Sequence, residues 1–196
     1  MTKALFVVSA ADHWTLNDGT KHPSGFWGEE LAMPHKIFTE AGWEITVATP
    51  AGKAPTLDRL SMSRTAGMPS KLREVVRYLA YDPVSGALLT QVPRSGKTPA
   101  LLCHAPAATL AAENEDGSWP FAGYRMTGLS NTEEKFNSFG RKAPWLLVDR
   151  LRERGAQYVK ARLLLPFVVV DRNLYTGQNP TSSERLAKRL VADLDR

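Results

Sequence analysis

One cysteine, Cys103, stands in a chain of 196 residues, which excludes an intramolecular disulfide and fits a protein of the reducing cytoplasm, where a thiol is either reactive or simply packed. The four histidines, His13, His22, His35 and His104, fall into no metal-ligand spacing. A single thiol without a clustered histidine or acid set argues against a structural zinc, so neither a metal nor a cofactor is expected. Long apolar runs are missing too. The N-terminal stretch Met1 to Ala10 is too short in apolar residues for a signal peptide or a membrane span, and no membrane association is expected. The formal net charge is +5, but lysine and arginine are spread through Arg185, Lys188 and Arg189 and through Arg150 to Arg154 with acids between them. No basic block interleaved with aromatics occurs, so no nucleic-acid partner is expected. Internal repeats, linkers and low-complexity tracts are absent. With 43% hydrophobic residues, a chain of this length suffices for one well-cored domain, residues 1–196, and is small for two.

What is present alternates between strand-like and helix-like patterns. Ala4 to Ser9 is a continuous apolar run suited to a strand buried on both faces of a parallel sheet. A long polar loop, Ala11 to Ser24, follows it, and loops of that length are more often functional than idle. Phe26 to Ala41 has helical spacing with Pro34 as a kink or restart, Gly42 stops it, and Glu44 to Thr49 is the second strand. This β-α-β order argues an α/β fold with right-handed crossovers. Farther on, Tyr124 to Leu129 reads as a strand, Asn131 onwards as a capped helix, and Pro144 to Arg154 as an amphipathic helix. Gln157 to Ala161 reads as a strand and Phe167 to Thr176 as a hairpin at a sheet edge. Thr181-Ser-Ser-Glu184 has the form of a capping box before the last helix, which runs nearly to Arg196.

The chemistry gathers around Cys103. Ala100 to Leu102 ends a buried strand, and Pro106 to Ala112 opens a helix, so the thiol sits at a strand-to-helix turn. A thiol facing the N–H groups of a helix start is favoured as thiolate and becomes a nucleophile; the other reading is a buried cysteine acting as a small hydrophobe. His104 is read either as a ring that caps the turn and points away, or, if a carboxylate orients it, as a proton carrier near neutral pH. In the first helix, Glu29 and Glu30 are either solvated acids at a helix start or, for Glu30, a carboxyl at the sheet edge where Cys103 lies.

Four motifs, Ser24-Gly-Phe-Trp-Gly-Glu-Glu-Leu31, Leu102-Cys-His-Ala-Pro106, Thr127-Gly-Leu-Ser-Asn131 and Thr176-Gly-Gln-Asn-Pro180, together with Ala10-Ala-Asp-His-Trp14, resemble the ThiJ/PfpI (DJ-one) superfamily. The resemblance is to its branch of glyoxalase III-like chaperone proteins, often labelled class I glutamine amidotransferase-like. It implies a flavodoxin-like three-layer α/β sandwich with a mostly parallel sheet. It also implies Cys103 as nucleophile, His104 as its catalytic neighbour, Glu30 as the carboxylate beside the thiol, and Glu134 as the third acid, with Glu133 as the fallback. The activity implied is a cofactor-independent, lyase-type conversion of methylglyoxal or a similar small aldehyde to a hydroxy acid, and a homodimer is expected. A chaperone or thiol redox sensor without turnover is the other class. One stretch departs from the family. Ser70 to Leu79 and Pro83 to Leu89 both read as helical with no strand between them, where the family has a strand and a glycine-rich turn that gives an N–H to the oxyanion site. If the chain is continuous as written, the sheet lacks one central strand and turnover is impaired.

Overall fold

The computed structural model describes residues 1–63, 97–114, 116–136 and 138–195. The expected helices Ser70 to Leu79 and Pro83 to Leu89, and with them the question of the central strand, lie outside the described residues. By internal contacts the described chain forms two compact units: residues 1–15, 20–63 and 187–195, and residues 16–19 with 97–186. Among the described residues no helix is long and apolar enough to cross a membrane.

In the first unit β1 (Lys3–Val7) pairs in parallel with β4 (Glu44–Ala48), joined by α1 (Gly28–Glu40), which makes the β-α-β crossover that the sequence predicts. Between β1 and α1, β2 (His13–Thr15) and β3 (Lys21–Pro23) form a small antiparallel hairpin. The strand β1 differs from expectation. Its residues alternate, with Leu5 50% and Val7 37% exposed, so the described residues bury one face of this strand rather than both. The covered side carries the packing: Phe6 lies against Phe38, and Phe38 stacks on Trp43 with ring centroids 4.4 Å apart. The Trp43 indole N–H donates to Asp195 Oδ1 at 2.8 Å, and Thr2 Oγ1 donates to the same oxygen at 3.1 Å. Helix α1 runs through Pro34 uninterrupted, at the cost of one i→i−4 hydrogen bond. Its entry is fixed by Gly25, where a β-carbon would stand 2.0 Å from the Thr56 carbonyl oxygen. That close approach lets the Phe26 N–H donate to the Thr56 carbonyl at 2.8 Å and the Asp58 N–H donate to the Phe26 carbonyl at 2.9 Å.

The second unit holds β5 (Ala100–Leu102), β6 (Arg125–Met126), α2 (Asn131–Phe136), α3 (Leu147–Glu153), β7 (Gln157–Tyr158), β8 (Val168–Asp171) and β9 (Leu174–Gly177), followed by α4 (Ser183–Leu194), which passes into the first unit. The sheet order is β5-β9-β8: β9 is central, parallel to β5 and antiparallel to β8, so the predicted hairpin does supply the edge strand. Strands β6 and β7 pair in parallel over only two residues each, shorter than their apolar runs. Their core is made by Trp119, Phe121, Met126, Leu147, Val148, Leu151, Ala156, Tyr158 and Leu174. The helix expected after Cys103 forms as a 3₁₀ helix, Ala105–Ala111, in which the Thr109 hydroxyl donates to the Pro106 carbonyl at 2.7 Å. The capping box that forms lies upstream of its predicted place and caps a 3₁₀ turn, Pro180–Ser182, that leads into the last helix. Ser182 Oγ accepts from the Asn179 N–H and donates to Asn179 Oδ1, and α4 begins at the next residue.

Candidate active site

Cys103 leaves β5 with φ 58°, a left-handed backbone that an L-residue adopts at a cost of about 1–3 kcal/mol when surrounding structure enforces it. Two backbone bonds do the enforcing. The Cys103 N–H donates to the Gly177 carbonyl at 2.9 Å, continuing the β5–β9 ladder, and the Cys103 carbonyl accepts from the Leu129 N–H at 2.8 Å. A sharp strand-to-helix turn of this kind pushes the residue at its apex out of the sheet. Cys103 is nevertheless buried.

The adjoining imidazole points at the sulfur, not away from it. Cys103 Sγ lies 3.5 Å from His104 Nδ1, and His104 Nε2 lies 2.7 Å from Glu134 Oε2. A carboxylate at Nε2 holds the ring's hydrogen on that nitrogen and makes Nδ1 the acceptor that faces the thiol; once the proton moves, the same carboxylate stabilises the imidazolium. Burial is graded along the chain of groups, with the Glu134 side chain 7% and the His104 ring 55% exposed. The acid is therefore shielded and the ring accessible.

Glu133, one residue earlier, faces elsewhere. Its carboxylate accepts from Ser130 N (3.0 Å), Ser130 Oγ (2.7 Å), Leu164 N (3.1 Å), Gln178 Nε2 (3.0 Å) and Asn179 Nδ2 (2.8 Å). Burial works against its ionisation, but the hydrogen bonds from Asn179, Ser130 and Gln178 outweigh it and hold the carboxyl below the usual range. The pair Ser130 and Glu133 is a reciprocal capping box at the start of α2, since Ser130 Oγ also accepts the Glu133 N–H at 3.3 Å. That Ser-x-x-Glu spacing is visible in the sequence, and it is the signal that would have assigned Glu133 to the cap. Ser130, Gln178 and Asn179 lie inside motifs that carry the family resemblance, which does not itself mark them as site residues. Beside them, Tyr158 is kept protonated by burial and by the Glu133 charge, and its hydroxyl donates to the Gly128 carbonyl at 2.8 Å.

Cys103, His104 and Glu134 thus meet in the second unit. Glu30 lies in the first, half-buried in the opening turn of α1 beside the buried Glu29. His13 sits beside Asp12, His22 in β3, and His35 on α1 against the Phe6 ring. Among the described residues no group of three or more histidine, cysteine or acidic side chains is placed to hold a metal ion.

The close packing of Gly140 offers a test of how tightly the acid is set. A β-carbon there would stand 1.9 Å from the Glu134 carbonyl oxygen. Gly140→Ala must displace the end of α2, and overpacking of this kind costs about 1–3 kcal/mol. A lowered midpoint in urea unfolding is expected, and an unchanged midpoint would show that the segment yields without cost.

No family model matches the chain. It is 29% identical over 175 residues to the human glutamine amidotransferase-like class 1 domain-containing protein 1, covering 76% of this chain and 80% of that protein. It is 23% identical to the protein/nucleic acid deglycase HchA of Staphylococcus aureus, covering 98% of this chain and 80% of the relative. That alignment runs over 233 residues, longer than this chain, so the relative carries stretches with no counterpart here. Among solved structures it superposes on the Francisella tularensis Rapid Encystment Protein with a TM-score of 0.81 at 22% identity, covering 99% of each chain. On glyoxalase III from Candida albicans the TM-score is 0.73 at 20% identity, with 97% and 96% covered. On Drosophila melanogaster DJ-1beta it is 0.51 at 15% identity, with 98% and 90% covered. These likenesses give the chain the flavodoxin-like α/β fold.

Proposed function

The chain belongs to the ThiJ/PfpI (DJ-1) superfamily, akin to its glutamine amidotransferase-like and HchA members, and on that premise we propose that it is a cysteine-dependent, cofactor-independent enzyme of carbonyl detoxification that converts methylglyoxal or a similar small α-oxoaldehyde to a hydroxy acid. The observation that carries this reading is the line Cys103 Sγ, His104 Nδ1, His104 Nε2, Glu134 Oε2, with its 3.5 and 2.7 Å contacts, on a left-handed strand exit. A deglycase among the relatives and a glyoxalase III among the structural neighbours support carbonyl chemistry as the class.

In this reaction the thiol proton passes to His104 and the thiolate adds to the aldehyde carbon, forming a C–S bond and a hemithioacetal whose oxygen takes a proton. A base removes the remaining hydrogen from that carbon, the electron pair shifts to the neighbouring carbonyl, and its oxygen takes a proton to give an enediol. Reprotonation at the neighbouring carbon, with loss of the hydroxyl proton, leaves a 2-hydroxy thioester. Water then adds to the thioester, the C–S bond breaks, and the sulfur recovers its proton. The sum is aldehyde plus water to hydroxy acid, with no external oxidant or reductant. Proton transfer at carbon is assigned to His104, the base beside the sulfur. The test is formation of lactate from methylglyoxal in the absence of glutathione. Turnover is expected, and lactate production no faster than in buffer would end the proposal.

A further inference from the structure

The Glu133 carboxylate joins the two segments that hold the nucleophile in its strained conformation. Oxygen Oε2 takes bonds from Ser130 and from Gln178. Each of these follows directly on a residue that anchors Cys103: Leu129, whose N–H holds the Cys103 carbonyl, and Gly177, whose carbonyl holds the Cys103 N–H. Oxygen Oε1 takes bonds from Leu164 N and Asn179 Nδ2, which ties the residues following β7 to the same point.

Every partner is a donor, and their orientations are set independently. The Gln178 amide oxygen accepts from the Ala161 N–H at 2.8 Å, and the Asn179 amide oxygen accepts from Thr181 Oγ1 at 2.7 Å and Ser182 Oγ at 2.8 Å. Both NH₂ groups are thereby turned toward Glu133. A site that offers only donors accepts an ionised carboxylate and nothing else; an amide or a protonated acid would bring a hydrogen against a hydrogen.

We propose that Glu133 is a positioning residue of the Cys103 elbow: its ionised carboxylate clamps the Thr127–Ser130 and Gly177–Asn179 segments together and so holds the sulfur in register with His104. The proposal rests on the reading of Cys103 as nucleophile, and it assigns Glu133 a task separate from that of its neighbour Glu134.

Because Cys103 is the only cysteine, the pH dependence of its alkylation by iodoacetamide reports that sulfur alone and needs no substrate. For the unsubstituted chain a midpoint below that of an ordinary thiol, about 8.5, is expected. In Glu133→Gln, checked as folded by circular dichroism, the midpoint should return toward the ordinary value, with the rate at pH 7 lowered about tenfold as the thiolate fraction falls. Ser130→Ala with Gln178→Ala removes two donors and leaves the carboxylate, and a smaller shift in the same direction is expected. This pair decides the matter if Glu133→Gln does not fold. A folded variant whose profile superimposes on that of the parent overturns the clamp while leaving the nucleophile in place. An ordinary profile in the parent protein overturns the nucleophile, and the clamp's task with it.

Discussion

Cys103→Ser should lower lactate formation from methylglyoxal by at least about 1,000-fold, to the level of the protein-free reaction. Serine keeps the backbone contacts of the elbow, because the bonds to Gly177 and Leu129 are made by main-chain atoms. What changes is the attacking atom. A hydroxyl is far less acidic than a thiol, so the proton that His104 takes at 3.5 Å from sulfur is held much more firmly on oxygen. The shorter C–O bond also draws the nucleophile back from the ring. Nothing else in the site substitutes: Glu134 acts through the imidazole, to which it is bonded at 2.7 Å. A serine variant with unaltered unfolding behaviour and no turnover is the expected pair of results. Retention of more than a tenth of the parent rate would remove Cys103 from the reaction and leave the proposed chemistry without its first bond.

The parts of this site that sequence reading finds are those built from local order. An apolar strand that ends at a cysteine and is followed by proline and alanines places the thiol at a turn whatever the rest of the chain does, and the structure puts Cys103 there with positive φ. Whether His104 points toward the sulfur depends on a carboxylate 30 residues away, which no periodicity contains. Glu133 and Glu134 are a harder case, since adjacent helical residues face directions about 100° apart. Which of them meets the histidine is set by how the helix docks, and the capping box from Ser130 decides it by claiming Glu133. The mistaken expectation for β1 has a different origin. Leu5 and Val7 are apolar like their neighbours, but the described residues cover only the alternate face, and composition does not record which face is covered.

Removal of the Glu133 carboxylate should cost the protein about 3–5 kcal/mol, the range for breaking a buried charged network by deleting one member. Glu133→Leu keeps an apolar group of similar reach but strands the donors of Ser130, Leu164, Gln178 and Asn179 at a position only 4% exposed. Each stranded buried donor carries a penalty of about 1–3 kcal/mol before relaxation, and the Ser130 hydroxyl alone can rotate to another acceptor. The same carboxylate makes stability depend on pH in a defined direction. Its folded-state pKa is depressed, so the unfolded chain takes up the proton first as pH falls. The stabilisation is complete above the unfolded value of about 4.3 and is lost as pH descends through the folded value. Urea unfolding followed from pH 7 to pH 3 should therefore show the parent losing stability below about pH 4–5, with the difference from Glu133→Leu narrowing over the same interval. A gap between the two that stays constant to pH 3 would mean that the charge of Glu133 contributes nothing and that only its shape is used.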